Sequence, residues 1–163
     1  MTNEKMLWAP WRIGYILADK SKGCFLCAAR KSHDDKKHHV LYRGRNAFVI
    51  LNLFPYTNGH LMVVPNRHTR HVADVRGGEE IFRLVQMCVD VLTRTLRPHG
   101  FNVGLNIGWY AGAGIERHLH VHVVPRWEGD VNFMSAAAGT RVISQSLGEL
   151  YVLLKKEFDK GDT

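Results

Sequence analysis

The sequence predicts an α+β fold, in which an antiparallel sheet of about five strands is combined with one long central helix and a C-terminal helix. Three observations predict it. Short segments rich in branched apolar residues follow one another as hairpin neighbours. One long segment with helical periodicity separates two groups of these strands. The strands do not alternate one for one with helices, which disfavours a parallel doubly wound sheet. The length of 163 residues suits a single domain, 1–163, with a buried core.

The first 39 residues precede the predicted sheet and fall into two segments. Residues 1–20 contain LWAPWRIGYIL, an aromatic and apolar run that Pro10 and Gly14 interrupt. We expect this segment to form an N-terminal arm that packs on the rest of the chain. Residues 21–39 are polar and are expected to be irregular around two cysteines.

Residues 40–145 hold the predicted sheet and the central helix. The first hairpin runs from 40 to 53, where VLYRG and AFVILNL flank a turn at 44–46. The turn-rich sequence PYTNGH follows at 55–60. A short apolar strand, LMVVP, is predicted at 61–65.

A long helix is predicted from about Glu79 to Leu96, because apolar residues recur there at helical spacing. These residues are Ile81, Phe82, Leu84, Val85, Cys88, Val91, Leu92 and Leu96. Two more strands are expected, FNVGLNIG at 101–108 and a second one at 118–125. A C-terminal helix at 146–160 places its apolar side chains on one face. They belong to Leu147, Leu150, Tyr151, Leu154 and Phe158.

The composition is that of an ordinary globular protein, with 45% hydrophobic and 23% charged residues. No apolar run approaches the roughly 18 residues of a membrane span, and MTNEKMLWAPWR lacks the apolar segment of a signal peptide. We therefore expect a cytoplasmic protein. The net charge of +7 suits an anionic partner, which is a nucleotide, a polyphosphate or a nucleic acid. The charged run at 30–45 is more typical of a solvated loop.

Three histidines occupy alternate positions in HLHVHVVPRW, residues 118–127. On a strand, His118, His120 and His122 share one face at intervals of about 6 to 7 Å, while the apolar residues between them face a core. Neutral imidazoles act near pH 7 as nucleophiles, general bases or metal ligands. We therefore interpret the row as a chemical site. The alternatives are a polar face on a half-exposed strand and a site used only for metal.

Two of the three cysteines, Cys24 and Cys27, form a C-x-x-C motif. In a reducing compartment a disulfide is disfavoured, so the pair indicates either metal binding or redox chemistry. A polar loop precedes the motif, rather than the strand of a thioredoxin-like βαβ unit, and this favours metal. A closed tetrahedral zinc site then needs two further ligands. Cys88 lies in the apolar helical pattern and is expected in the core.

The loop before the histidine row contains Gly108, Gly112 and Gly114. Glycines let the backbone come close to a ligand, and successive exposed N–H groups suit an anion. Because this loop leads directly into the histidines, we expect it to bind phosphate.

The chain resembles the histidine triad (HIT) family from about residue 6 to about residue 150. The segment HLHVHVV matches the motif H-φ-H-φ-H-φ-φ, in which φ is apolar, and LNLFPYTNGHLMVVPNRH at 51–68 is similar to the family's strand, turn and G-H-x-x-V-x-P segment. Residues 97–133 resemble the branch that contains diadenosine tetraphosphate hydrolases and phosphorylases. The resemblance implies an HIT-like fold. It also implies cleavage of dinucleoside polyphosphates through a covalent nucleotidyl-histidine, which water or inorganic phosphate then releases.

By position, the resemblance implies that His120 is the nucleophile and that His122 and His60 orient it or contact phosphate. Asn52 matches the family residue that hydrogen-bonds the ribose, and Asn106 matches an asparagine near the phosphates. Either asparagine is otherwise a turn or strand-end residue that caps backbone groups.

Many family members carry a glutamine or serine before the first histidine, where it contacts the leaving group. This sequence has AGAGIERH there, so the backbone amides of Gly112, Ala113 and Gly114 are expected to take over that contact. Trp8 and Trp11 either line the base pocket or staple the arm to the domain, and we favour the staple.

The resemblance further implies that 21–39 is the loop of a structural zinc site. Related metal-containing proteins take one histidine after the G-H-x-x-V-x-P segment and one from the triad. Those positions are His68 and His118 here, and His71 is the rival for the third ligand. The expected ligand set is Cys24, Cys27, His68 and His118.

An open antiparallel sheet has edges that need covering, and the family covers them by forming a homodimer. We expect the helix at 79–96 and the strand at 101–108 to make that contact. Two other functions stay open, a phosphoramidase of the same family and a non-catalytic nucleotide- or RNA-binding protein. No aromatic RNP-like signature is present, so nucleic acid is not the expected partner.

Overall fold

The computed structural model describes residues 23–130 and 143–160 and confirms the α+β fold. The predicted N-terminal arm, with Trp8 and Trp11, lies outside these residues. The helices are α1 (Phe25–Lys31), α2 (Asp35–His38), α3 (Gly78–Leu96) and α4 (Leu147–Lys160). The strands are β1 (Val40–Arg43), β2 (Ala47–Leu51), β3 (Leu61–Pro65), β4 (Gly100–Leu105) and β5 (Val121–Arg126). Short 3-10 turns occupy Val72–Asp74 and Trp109–Ala111.

The five strands form one antiparallel sheet in the order β1-β2-β3-β5-β4. β2 and β3 pair over their full length, from Ala47 opposite Pro65 to Leu51 opposite Leu61. β5 inserts between β3 and β4, and it places His122 opposite Met62. The histidine strand therefore lies beside the strand that begins directly after His60.

The two faces of the sheet carry different cores, because successive side chains of a strand point to opposite faces. The larger core lies under α3 and α4 and is confirmed to contain Cys88. Its buried members are Leu41, Ala47, Val49, Leu51, Leu61, Val63, Leu84, Val85, Cys88, Val91, Leu92, Val123, Leu150, Tyr151, Leu154 and Phe158. The smaller core packs α1 on the opposite face. Its members are Leu26, Ala29, Val40, Phe48, Ile50, Met62 and Val64.

A single arginine of β1 holds α1 against the sheet. The guanidinium of Arg43 donates hydrogen bonds to the carbonyl oxygens of Ala29 (2.9 Å), Arg30 (2.8 Å) and Ser32 (2.8 Å). These carbonyls at the end of a helix have no partner within the helix. Arg43 also forms an ion pair with Asp35 at 2.6 Å. The helix that contains Cys27 is thereby held in place.

Three boundaries differ from the sequence prediction. The segment 21–39 is predicted to be irregular around the cysteines, but its described part, 23–39, contains α1 and α2. Strand β4 ends at Leu105 rather than at residue 108. Strand β5 begins at Val121 rather than at residue 118, so His118 and His120 precede it. Among the described residues, no helix is both long and apolar enough to cross a membrane.

Candidate active site and metal centre

The histidine row is divided between two adjoining sites. His118, His120 and His122 are all buried, with 0%, 4% and 9% of their surface exposed. The alternation is confirmed in β5, since Val121 and Val123 pack in the larger core while His122 lies on the opposite face beside Met62. The rings of His120 and His122 are 4.7 Å apart, closer than on a regular strand, because His120 precedes β5.

The backbone sets the protonation of the His60 and His122 rings. The amide of Tyr56 donates to Nδ1 of His60 at 3.1 Å, so the proton of the neutral His60 ring lies on Nε2. That Nε2–H donates to Nδ1 of His122 at 2.9 Å. The neutral His122 ring must then carry its own proton on Nε2. The relay therefore leaves His122 with one hydrogen-bond donor, its Nε2–H.

His120 has the opposite tautomer. Its Nδ1–H donates to the backbone carbonyl of His118 at 2.9 Å, which leaves the lone pair on Nε2. A neutral ring with a free Nε2 is the form in which histidine acts as a nucleophile. The cluster therefore combines one ring nitrogen with a free lone pair, Nε2 of His120, and one neighbouring donor, Nε2–H of His122.

Burial keeps these rings neutral. It lowers the pKa of His60 from its ordinary value of 6.5 to about 3, with the charges of His122 and His120 as lesser causes. Burial, and then the charge of His120, lowers the pKa of His122 to about 4. Burial also lowers the pKa of His120, against its hydrogen bond to the His118 carbonyl. At neutral pH the three rings retain the tautomers that their hydrogen bonds require.

Four predicted ligands, from three separate stretches of chain, come together in a set that can hold a metal ion. Their ligand atoms all lie within 4.8 Å of one another, and the residues are Cys24, Cys27, His68 and His118. Sγ of Cys24 is 3.3 Å from Nδ1 of His118, and Sγ of Cys27 is 3.2 Å from Nδ1 of His68 and 3.6 Å from Nδ1 of His118. Tetrahedral zinc with ordinary bond lengths places S and N ligands about 3.6 Å apart. The spacing thus fits a four-coordinate metal.

The His118 ring has the tautomer that a metal ligand needs. Its Nε2–H donates to the backbone carbonyl of Pro65 at 2.9 Å, so Nδ1 faces the sulfur atoms with its lone pair. Burial, and then the charge of Cys24, raises the pKa of the Cys27 thiol. A cation between the two sulfur atoms would reverse that effect, because metal binding deprotonates a coordinating thiol.

His71, the rival for the third metal ligand, lies outside the set. It is exposed, and its Nε2 accepts a hydrogen bond from Arg70 at 3.1 Å. His68 occupies the position beside Cys27 instead.

The predicted nucleotide-binding residues lie in two places. Asn52 adjoins the histidine cluster, with its Nδ2 3.3 Å from Nδ1 of His60, and its Oδ1 accepts from the Phe54 amide at 2.9 Å. Asn106 donates instead to the carbonyl of Gly112 at 3.5 Å. Within the described chain, no hydrogen bond joins Asn106 to His60, His120 or His122.

The loop at 108–114 uses three of its amides internally: that of Ala111, which donates to the Gly108 carbonyl at 3.2 Å, and two of the three amides expected to contact the leaving group, those of Gly112 and Ala113. Gly112 has a left-handed φ of 83°, and its N–H donates to Trp109 at 2.9 Å. The N–H of Ala113 donates to Gly108 at 3.4 Å. An anion in this loop would contact the amide of Gly114 or displace those two bonds.

Sequence reasoning missed the backbone groups that set the histidine tautomers. These groups are the amide of Tyr56 and the carbonyls of Pro65 and His118. The Tyr56 ring is also 4.7 Å from that of His60. A motif of side chains carries no signal for a backbone partner. The position of Tyr56 in the PYTNGH turn was the only available indication.

The fold and the side chains together define a class of protein, a small α+β domain with a buried histidine cluster next to a metal-ligand set. A model of the HIT domain matches residues 33–129. An AP-4-A phosphorylase from Mycobacterium tuberculosis is 40% identical over 162 residues, which cover 93% of this chain and 83% of that protein. The chain therefore belongs to the histidine triad (HIT) family.

Two further relatives extend the comparison. The asymmetrical bis(5′-nucleosyl)-tetraphosphatase of Schizosaccharomyces pombe is 30% identical over 93 residues, which cover 56% of this chain and 50% of that protein. The crystal structure of a Zn-bound histidine triad family protein from Mycobacterium smegmatis superposes with a TM-score of 0.63 at 28% identity. That match covers 87% of this chain and 97% of the other.

Proposed function

We propose that the protein cleaves dinucleoside polyphosphates, such as diadenosine tetraphosphate, by nucleotidyl transfer through His120. The observation that carries the proposal is the hydrogen bond from Nδ1 of His120 to the His118 carbonyl, which leaves Nε2 free to attack. The 40% identity to an AP-4-A phosphorylase over 93% of the chain supports the substrate class.

The reaction has two steps. Nε2 of His120 attacks the α-phosphorus, a P–N bond forms, and the bond from that phosphorus to the bridging oxygen of the β-phosphate breaks. For diadenosine tetraphosphate the leaving group is ATP, and an adenylyl group stays on His120. Water then yields AMP, or inorganic phosphate yields ADP, and Nε2 is restored. Two such displacements replace a single, more difficult one.

The surrounding side chains have separate tasks in this scheme. Nε2–H of His122 donates to a phosphate oxygen, because the His60 relay places its proton there. His60, fully buried, positions His122. Asn52 binds the ribose, and Asn106 with the amides of Gly112, Ala113 and Gly114 binds phosphate oxygens. The net charge of +7 favours an anionic substrate.

We also propose that Cys24, Cys27, His68 and His118 hold a structural zinc ion. Two thiolates and two imidazoles are a usual ligand set for structural zinc. All four positions would be filled by the chain, so the ion would stabilise the fold and leave no site for water. These ligands come from α1 and the residue before it, from the loop after β3, and from His118, two positions before the proposed nucleophile. The ion would therefore connect these three parts of the chain.

Product analysis tests the function. The protein is incubated with diadenosine tetraphosphate, with and without inorganic phosphate, and the nucleotides are separated by chromatography. ADP and ATP that form only with phosphate identify a phosphorylase, and AMP with ATP identifies an asymmetrical hydrolase. His120→Asn should abolish turnover and the exposed control His71→Asn should retain it. Full turnover by His120→Asn would contradict the proposal, and so would much faster turnover of an adenosine phosphoramidate than of the dinucleotide.

A homodimer is part of the proposal, and its contact surface would include β4. This strand lies at the edge of the sheet, and Val103 and Leu105 are 48% and 39% exposed on it. An exposed apolar edge strand favours pairing with a second strand. Light scattering should report twice the monomer mass, and Val103→Lys should reduce it. A monomeric parent protein would contradict this assembly.

The cytoplasmic location stays a prediction from the sequence.

A further inference from the structure

One peptide group connects the metal-ligand set to the proposed nucleophile. It joins His118 to Leu119. On one side its carbonyl accepts the Nδ1–H of His120 at 2.9 Å. On the other side its N–H donates to the backbone carbonyl of Thr69 at 2.7 Å. Since a trans peptide is planar, whatever orients the N–H also orients the carbonyl that faces His120.

The Thr69 carbonyl belongs to a turn that the Thr69 hydroxyl closes. Thr69 is 6% exposed, and its Oγ1 accepts from the amide of His71 at 3.1 Å. The same hydroxyl donates to Oδ2 of Asp74 at 3.2 Å and, at the longer distance of 3.5 Å, to the His71 carbonyl. A buried hydroxyl with bonds in both directions restricts the backbone around it. The direction of the Thr69 carbonyl therefore depends on its own side chain.

Hydrogen bonding and the burial of Leu119, which is 6% exposed, both hold this peptide. Leu119 is absent from both hydrophobic cores and lines an apolar pocket of about 220 Å³. A side chain beside open space lacks part of the contacts that fix a core residue. The bond from Leu119 to Thr69 is the hydrogen bond that restrains this side of the peptide.

We propose that Thr69 is a positioning residue for His120, acting through the peptide between His118 and Leu119. The inference rests on the proposed function, in which Nε2 of His120 attacks phosphorus. When Nε2 bonds to phosphorus, the ring becomes cationic and its Nδ1–H becomes a stronger donor. A carbonyl whose own peptide N–H is hydrogen-bonded is a stronger acceptor. Thr69 thus stabilises the charge that develops on His120 without touching the substrate.

The test uses Thr69→Val, which removes the hydroxyl at nearly constant volume, and Thr69→Ser, which keeps it. Thr95→Val is the matched control, because the Thr95 hydroxyl donates only to Val91 within α3. We expect Thr69→Val to lower kcat about tenfold, the worth of one net hydrogen bond, with KM changed less than about threefold. Thr69→Ser and Thr95→Val should stay within about twofold of the parent kcat.

Two further readouts separate positioning from a purely structural role. Nitrogen NMR of labelled histidine, with the His120 signals assigned by their loss in His120→Asn, reports which ring nitrogen carries the proton. The parent protein should show a protonated Nδ1, and Thr69→Val a mixture of tautomers. Metal content should be unchanged in Thr69→Val. Loss of metal together with activity would overturn the proposal, since the hydroxyl would then act through the neighbouring ligand His68.

The remaining outcomes are also decisive. A folded Thr69→Val protein with the parent kcat and tautomer overturns the proposal. If that variant does not fold, Asp74→Ala removes the nearer acceptor of the Thr69 hydroxyl, leaves the His71 carbonyl at 3.5 Å, and should shift the His120 tautomer in the same direction. An Asp74→Ala protein with the parent tautomer overturns the proposal in that case. A parent protein without turnover of dinucleotides refutes the proposed function alone, because the NMR readout needs no substrate.

Discussion

The buried pair of His60 and His122 should make the stability of the domain depend on pH. The folded state lowers the pKa of His60 from 6.5 to about 3, chiefly by burial. Between these two values the unfolded chain binds a proton at this site and the folded chain does not. The free energy of unfolding therefore rises with pH across this window, and the contribution of His60 is lost as the pH falls below 6.5.

The magnitude follows from the size of that window. Each pH unit below the unfolded pKa costs about 1.4 kcal/mol for one such group. At about pH 5 the free energy of unfolding is therefore lower by about 2 kcal/mol because of His60. His122, with a folded pKa of about 4, lowers it by a similar amount. The proposed metal ligands also bind protons on acidification. The free energy of unfolding of the parent protein therefore depends on pH more strongly than these two histidines alone require.

Urea unfolding of matched variants isolates the contribution of His60 to the pH dependence of the free energy of unfolding. The free energy of unfolding is measured at about pH 5 and about pH 7.5 for the parent protein, for His60→Gln and for His33→Gln, whose histidine is exposed. The free energy of unfolding rises between the two pH values, and this rise should be about 2 kcal/mol smaller in His60→Gln than in the parent protein. The rise in His33→Gln should equal that of the parent protein. The protonation of metal ligands cancels in this comparison. Equal differences in all three proteins would refute the argument from burial.

Two further predictions concern the metal set and one turn. Cys27→Ser and His68→Ala should lower bound zinc from about one equivalent to a small fraction, as measured by elemental analysis, because each removes a ligand. The controls Cys88→Ala and His71→Ala should retain the zinc. Retention of zinc by His68→Ala would disprove the ligand set. Gly59→Ala should lower the free energy of unfolding by about 2 kcal/mol, because φ is +79° and a Cβ would lie 2.6 Å from Leu96. Gly78→Ala, at the first position of α3 and with open space around its Cα, should change it by less than about 0.5 kcal/mol, and equal losses at both glycines would contradict the strain argument.

Side-chain patterns allowed most of the fold to be predicted. The continuous apolar runs of β2 and β3, the two-residue alternation around β5 and the helical spacing of α3 all reflect which side chains must be buried. Residue type therefore predicts these elements directly. The pairing of β5 with β3 was not accessible in the same way, because register depends on contacts between distant segments. The helix α1 was missed because it is short and depends on contacts with distant segments, namely the hydrogen bonds from Arg43 and the burial of Leu26 and Ala29 against the sheet.

The site was predictable to the extent that its chemistry lies in side chains. Spacing and residue type indicate His120 and the cysteine pair as site residues, and the resemblance to HIT proteins predicts His60 and His68. The tautomers were not predictable, since they depend on the backbone groups of Tyr56, His118 and Pro65. Any residue type supplies such a carbonyl, and any residue but proline supplies such an amide, so only the folded chain shows which of them faces a ring.

Intact-protein mass spectrometry after a rapid alkaline quench tests the central proposal most directly, since it detects a nucleotide bonded to the chain. With diadenosine tetraphosphate and no inorganic phosphate, the parent protein should gain the mass of one adenylyl group. Peptide mapping should place that group on His120, and His120→Asn should gain nothing. An adenylyl group on another residue, or its persistence in His120→Asn, would contradict the assignment of Nε2 of His120 as the nucleophile.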